Sequence, residues 1–136
     1  MVYPSGIFKL QSVATLSQAN PVSTTLYTVL DTTENVIIYH IQISLTWATT
    51  QPNPLVVIIT VDGQTLTFSK SNPVSNQDYN PNYWDISTPG GGMDTSSGNL
   101  QPFVIQGKSV KVQAKVTWAT TQPNPMTCRV LYGKLG

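Results

Sequence analysis

Apolar and polar residues alternate with a period of two along much of the chain, and helical spacing is nowhere sustained. The clearest stretch is 35–48, where one face carries Ile37, Tyr39, Ile41, Ile43, Leu45 and Trp47 and the other carries His40, Gln42, Ser44 and Thr46. The stretch 109–118 repeats the pattern, with Val110, Val112, Ala114, Val116 and Trp118 on its apolar face. This periodicity predicts β-strands that bury one face each.

A hairpin is predicted in the middle of the chain. Residues 55–61 are apolar at nearly every position, and the Asp62-Gly63 dipeptide after them is typical of a two-residue type I′ turn leading into 64–69. Further strands are predicted at 6–16, 25–30, 102–106 and 126–132, which makes about eight in all. We therefore expect an all-β, single-domain antiparallel β-sandwich over residues 1–136, jelly-roll-like in type, with an immunoglobulin-like sandwich or a closed barrel as alternatives.

A nine-residue segment occurs twice. Residues 46–54, Thr-Trp-Ala-Thr-Thr-Gln-Pro-Asn-Pro, recur unchanged as residues 117–125, 71 positions later. The same offset aligns apolar positions of the flanking strands, such as Ile41 with Val112 and Val57 with Cys128. We predict an internally duplicated strand–connection–strand unit, with copies around 35–61 and 106–132, in which Trp47 and Trp118 are core anchors. Two copies are too few for a solenoid, which needs at least about three stacked repeats.

Residues 70–101 interrupt the alternation. This stretch of Asn, Pro, Ser and Gly residues shows no convincing strand pattern, so we predict a long loop. Loops longer than about 15 residues are uncommon in compact domains and are usually functional or disordered. Because Tyr79, Tyr83 and Trp84 carry much apolar area, an ordered and functional loop is the better interpretation.

Charged side chains are scarce. The chain has 49 uncharged polar residues of the types Thr, Ser, Asn and Gln, but only 7 Lys plus Arg and 6 Asp plus Glu, with a net charge of +1. That charge provides no long-range field for nucleic acid, and no apolar run approaches the roughly 18 residues of a membrane span. One cysteine excludes a disulfide framework. The N-terminus does not resemble a secretory signal, so we expect synthesis in the cytoplasm, unless a signal was removed.

Catalytic and metal-binding groups are few. His40 is expected on the polar face of its strand and Cys128 on the apolar face of another, so they should not form a nucleophile–base pair. Asp78, Asp85 and Asp94 lie in the predicted loop, where aspartates ordinarily bond to their own backbone rather than serve as paired catalytic acids. Without a calcium-loop pattern or a set of zinc ligands, we predict no enzyme, no metal and no cofactor.

Two groups of residues are candidates for binding. Tyr79, Asn82, Tyr83, Trp84 and Asp85 combine flat aromatic faces with polar groups, the combination that sugar rings require. The alternative, which we favour, is that Tyr83 and Trp84 plug one end of the sandwich or form a subunit contact. Val56 and Ile58 should point outward from a strand whose other face is also apolar, so either the loop 70–101 or a neighbouring subunit should cover them. We favour a subunit interface and a homo-oligomer, with a trimer as the expected state.

In layout and composition the chain resembles the small all-β surface and decoration proteins of virus capsids. The features behind this resemblance are the short chain without a signal, the abundance of Thr, Asn, Gln and Pro, and the repeated segment. It implies a structural protein on the virion surface that binds itself and a larger protein shell. A carbohydrate-binding module or lectin that uses residues 79–85 is the alternative function, and we expect no nucleic-acid partner and no membrane insertion.

Overall fold

The computed structural model describes residues 8–18, 25–45, 54–70, 77–85, 100–102, 104–116 and 126–135. Within these ranges the chain forms eleven β-strands and no helix. They are β1 (Phe8–Gln18), β2 (Tyr27–Thr32), β3 (Val36–Leu45), β4 (Leu55–Val61), β5 (Gln64–Lys70), β6 (Gln77–Tyr79), β7 (Tyr83–Asp85), β8 (Leu100–Pro102), β9 (Ile105–Gly107), β10 (Val110–Val116) and β11 (Met126–Leu135).

Two antiparallel sheets form the layers of a β-sandwich. The first sheet has the order β1-β11-β3-β6, with β9 also paired to β3, and the second has the order β2-β10-β4-β5. Strands β7 and β8 pair separately. From β1 to β4 successive strands alternate between the two sheets, and β10 and β11 do the same, as in jelly-roll proteins. The predicted fold class, an all-β antiparallel sandwich, is confirmed.

The hydrophobic core lies between the sheets and is supplied mainly by β3, β4, β10 and β11. Alternate residues of these strands have no exposed surface: Val36, Ile38, Ile41, Ile43, Leu45, Leu55, Val57, Ile59, Val110, Val112, Ala114, Val116, Met126, Cys128 and Val130. Complete burial of one aliphatic side chain of this size contributes about 1.5–3 kcal/mol. The alternation of apolar residues in the sequence therefore places one face of each of these four strands in this layer.

The strand registers in the two sheets are related by the 71-residue offset of the repeated segment. In the first sheet Leu45 pairs with Met126, and in the second Val116 pairs with Leu55. Val116 is 71 positions after Leu45, and Met126 is 71 positions after Leu55. The next inward pairs follow the same relation: Ile43 with Cys128 and Ala114 with Val57, then Ile41 with Val130 and Val112 with Ile59. Strands β3 and β4 thus lie in different sheets, and each pairs with a strand from the second half of the chain.

The predicted hairpin between β4 and β5 is confirmed. Asp62 and Gly63 have positive φ values of 49° and 83°, as a type I′ turn requires. The Asp62 carboxylate accepts hydrogen bonds from the backbone N–H groups of Lys108 (2.8 Å) and Ser109 (2.9 Å), and Asp62 N–H donates to the Ser109 carbonyl at 2.8 Å. The turn is therefore fixed against the β9–β10 connection, where Gly107 leaves no room for a larger side chain.

Two expectations about the strands are corrected. About eight strands were expected, but eleven are described, because the predicted loop 70–101 contains β6, β7 and the first two residues of β8. Residues 71–76 and 86–99 of that loop lie outside the described residues. So do the connections 46–53 and 117–125, including Trp47 and Trp118, whose predicted role as core anchors stays a prediction.

The prediction of which β3 residues face the core is wrong for the first residues of the strand. Val36 and Ile38 are fully buried, whereas Ile37 and Tyr39 are only half-buried. The reason is a β-bulge: Leu131 of β11 pairs with His40 and Tyr132 pairs with Ile38, so Tyr39 has no partner on β11. Because the bulge adds one residue, even-numbered residues face the core before it and odd-numbered residues face the core after it.

Candidate functional site

Three parts of the chain form hydrogen bonds with the edge of β3 that faces away from β11. β9 pairs with residues 36–38 of this edge and β6 with residues 43–45, and between them the strand meets the side chain of Asn82. Asn82 Oδ1 accepts a hydrogen bond from the Ile41 N–H, and Asn82 Nδ2 donates one to the Tyr39 carbonyl, each at 2.9 Å. The carboxamide thus presents one acceptor and one donor to β3, as the peptide group of a neighbouring strand would.

Two further side-chain contacts hold residues 77–82 on the first sheet. His40 Nε2 donates to Asn80 Oδ1 at 2.7 Å, and the Ser44 hydroxyl donates to the Asp78 carboxylate. Both contacts join outward-pointing residues of β3 to the segment beside it. The segment around β6 is therefore anchored by backbone pairing, by a buried amide and by surface hydrogen bonds.

Two of the five residues predicted to bind sugar are buried in the structure. Tyr79 and Asn82 have no exposed area, because Tyr79 lies in the core and the Asn82 amide is occupied by β3. The backbones of Tyr83, Trp84 and Asp85 form β7, which pairs with β8. The side chains of these three residues lie outside the described part of the chain. In this structure, Tyr79 and Asn82 therefore stabilise the fold and leave no surface for a ligand.

The outer face of the first sheet contains a depression of about 230 Å³. Its walls come from three neighbouring strands and consist of Val13 of β1, His40 and Gln42 of β3, and Arg129 and Leu131 of β11. Val13, Leu131 and His40 form one row across the sheet, while Arg129 and Gln42 stand side by side in the next. Sequence analysis did not single out Arg129, although it is the only arginine of the chain and lies in the outward phase of a predicted strand.

The outer face of the second sheet has a different chemistry. Val56 and Ile58 point outward from β4 and are half-buried, as are Lys115 and Gln113, which pair with them on β10. On the other side their partners on β5 are Ser69 and Thr67. The aliphatic stems of neighbouring side chains thus shield part of the two apolar residues, and the rest of their surface is open in the single chain.

The chemistry of the described residues gives no sign of a catalytic centre. Cys128 is buried, and burial raises the pKa of its thiol to about 12, so the nucleophilic thiolate is disfavoured. His40 lines the outer depression, whereas Cys128 faces the core, as their predicted phases required. In the described ranges no three His, Cys, Asp or Glu side chains come together as a metal site would need.

No described helix of this chain has the length and apolar character that a membrane span requires.

No protein-family model matches the chain, and no curated protein matches it in sequence. Among solved structures it is similar to the acidic stable capsid structure of Helicobacter pylori bacteriophage KHP30, with a TM-score of 0.54 and 13% identity over 96% of this chain and 92% of that chain. It also matches the VP2 subviral particle of infectious bursal disease virus, with a TM-score of 0.31 and 14% identity over 95% of this chain and 38% of that chain. The KHP30 similarity shows a shared fold, and the resemblance to virus capsid proteins expected from layout and composition is confirmed at that level.

Proposed function

We propose that this chain is a non-enzymatic structural protein of a virus particle, located at the particle surface, where it binds copies of itself and the protein shell. The observation that carries the proposal is the similarity to the KHP30 capsid structure, because it covers nearly all of both chains. A fold alone does not define a function, so the surface chemistry must support the same conclusion.

The outer faces support an interaction role. The outer sides of β3, β4, β10 and β11 combine Thr, Ser and Gln with the cations Lys111, Lys115 and Arg129. The chain as a whole carries a net charge of only +1, so molecules of this chain repel one another weakly at long range. On β4 the outward pair Val56 and Ile58 adds apolar area that a second copy could bury. We therefore assign self-association to the outer face of the second sheet.

Self-association is tested by sedimentation velocity of the purified chain from about 1 to 200 µM, a range that detects weak to moderate affinities. We expect a concentration-dependent oligomer, a trimer by our proposal, for the wild type, and a monomer for Ile58→Lys, because a buried ammonium group without a partner is costly. Thr127→Lys is the matched control, since Thr127 is an outward residue of an interior strand in the other sheet. A monomeric wild type at the highest concentration would refute self-association.

Shell binding is tested on particles of the virus whose genome encodes the chain. Mass spectrometry of gradient-purified particles should find the chain in a fixed ratio to the major shell protein, and surface biotinylation of intact particles should label it. Purified particles that lack the chain would contradict the virion role. A chain that is present but labelled only after disruption would contradict the surface position while leaving the virion role intact.

The carbohydrate-binding alternative now depends on Tyr83, Trp84 and Asp85, since Tyr79 and Asn82 are buried. A glycan array probed with the wild type and with Trp84→Ala tests it. Binding by the wild type that the substitution abolishes would support a lectin, and the absence of any bound glycan would remove this alternative.

A further inference from the structure

Arg129 is the only Lys or Arg among the described residues that line the outer depression, and its side chain is exposed. In the described part of the chain no hydrogen bond or ion pair engages its guanidinium group. The Asp78 carboxylate on the same face is bonded to Ser44, and Glu34 forms an ion pair with Lys134 at 3.2 Å. These two acidic groups therefore have other partners, and Arg129 is available to an anion from outside.

The surroundings of Arg129 complement a carboxylate carried on a short hydrocarbon stem. Its guanidinium group can donate two parallel hydrogen bonds to one carboxylate, and the amide of Gln42, its neighbour across the strands, can donate another. Val13, which is 49% exposed, and Leu131 give the adjoining wall an apolar surface. The His40 ring forms the third side and is held in place by its hydrogen bond to Asn80.

We propose that this depression binds the carboxylate of an acidic side chain, Glu or Asp, presented by a partner protein. The volume of about 230 Å³ fits one side chain of this size and lies below the roughly 300–1,000 Å³ of pockets that enclose whole small ligands. The described lining contains no Trp, Tyr or Phe on which a sugar ring could stack. This assignment rests on the side chains of the depression and does not depend on the virion role.

The site is tested by NMR titration of the intact chain with a blocked peptide that has one glutamate between glycines, at constant ionic strength. We expect saturable shifts of the Val13 and Leu131 methyl groups and of the Arg129 Nε–H signal. Arg129→Gln should weaken binding about tenfold or more, because it removes a charge-assisted bidentate contact. Lys115→Gln removes the same charge from the outer face of the other sheet and should change the affinity less than about twofold.

Each other outcome contradicts part of the assignment. Equal binding of the matching glutamine peptide, or an unchanged affinity of Arg129→Gln, would exclude a carboxylate site at Arg129. No saturable shift up to about 100 mM peptide would remove the site, since binding would then be weaker than about 1–2 kcal/mol. If glucuronate bound about tenfold more tightly than the glutamate peptide, the ligand of this site would be an acidic sugar and not a protein side chain. Unchanged spectra elsewhere in Arg129→Gln establish that the variant is folded.

Discussion

Removal of the Asn82 side chain should destabilise the protein strongly, although the residue lies outside the long strands. In Asn82→Ala the Ile41 N–H and the Tyr39 carbonyl each lose a 2.9 Å hydrogen bond. The Ile41 side of this site is fully buried, so water does not replace the lost bond without rearrangement. An orphaned buried polar group costs about 1–3 kcal/mol, which gives a total loss of about 2–6 kcal/mol for the two groups. That is a large part of the roughly 5–15 kcal/mol that stabilises an ordinary domain.

Urea unfolding, followed by far-UV circular dichroism, measures this loss. Gln113→Ala is the matched control, because it also removes an amide but breaks only the exposed 3.2 Å hydrogen bond to Thr28. We expect the control to lose less than about 1 kcal/mol. A loss for Asn82→Ala no larger than that of the control would refute the view that this amide replaces a strand at the edge of β3.

Asn82→Asp tests the same hydrogen bonds through pH and keeps the size of the side chain. As a carboxylate, Asp accepts from the Ile41 N–H but repels the Tyr39 carbonyl, whereas a protonated carboxyl group can donate to that carbonyl as the amide does. Burial raises the pKa of such a carboxyl group, so the folded state binds the proton more tightly than the unfolded state. The stability of this variant should therefore rise as the pH falls from 7 towards 4, relative to the wild type. A parallel pH dependence of the two proteins would contradict this account.

Two further predictions concern single buried positions. The Cys128 thiol has its pKa raised by burial from 9.0 to about 12, so above pH 9 the unfolded chain releases a proton that the folded chain keeps. The free energy of unfolding should consequently fall by about 1.4 kcal/mol between pH 8 and pH 10. Urea titrations at the two pH values should show that Cys128→Ala lacks this loss. An equal fall in the free energy of unfolding for the two proteins would refute the prediction. Gly107→Ala would bring a Cβ atom to 2.6 Å from Val61 Cγ1 and should cost about 1–3 kcal/mol in the same assay. Adding Val61→Ala should recover part of that cost, and strictly additive losses would show that the two side chains do not collide.

The parts of the fold that the sequence predicts correctly are those determined by short-range patterns. The Asp62-Gly63 dipeptide defines its hairpin because few residue pairs accept two positive φ values. The burial of Cys128 follows from the phase of its strand, because neighbours two positions away share its face. Both predictions need only residues that are close in sequence or separated by a regular period.

The bulge at Tyr39 could not be predicted from such patterns. In the sequence the alternation through Ile37, Tyr39 and Ile41 is unbroken, and it continues the pattern of a regular strand. The Ile41 N–H next to the bulge is bound by Asn82, which lies 41 positions further along the chain. The depression around Arg129 could not be predicted for a similar reason, since its lining comes from β1, β3 and β11, which are distant in sequence. The sequence showed one clue to it, a lone arginine in the outward phase of a strand.

The 71-residue offset makes the two outer faces comparable position by position. Arg129 on β11 corresponds to Ile58 on β4, and each stands beside a glutamine on the neighbouring strand, Gln42 in one sheet and Gln113 in the other. The paired backbone is equivalent at these positions, whereas the outward side chain is a cation on one face and an aliphatic group on the other. Identical partners would require similar chemistry on both faces. The divergence at this pair of positions is consistent with the two proposals made above, in which a second copy covers the second sheet and an acidic side chain of another protein binds the first.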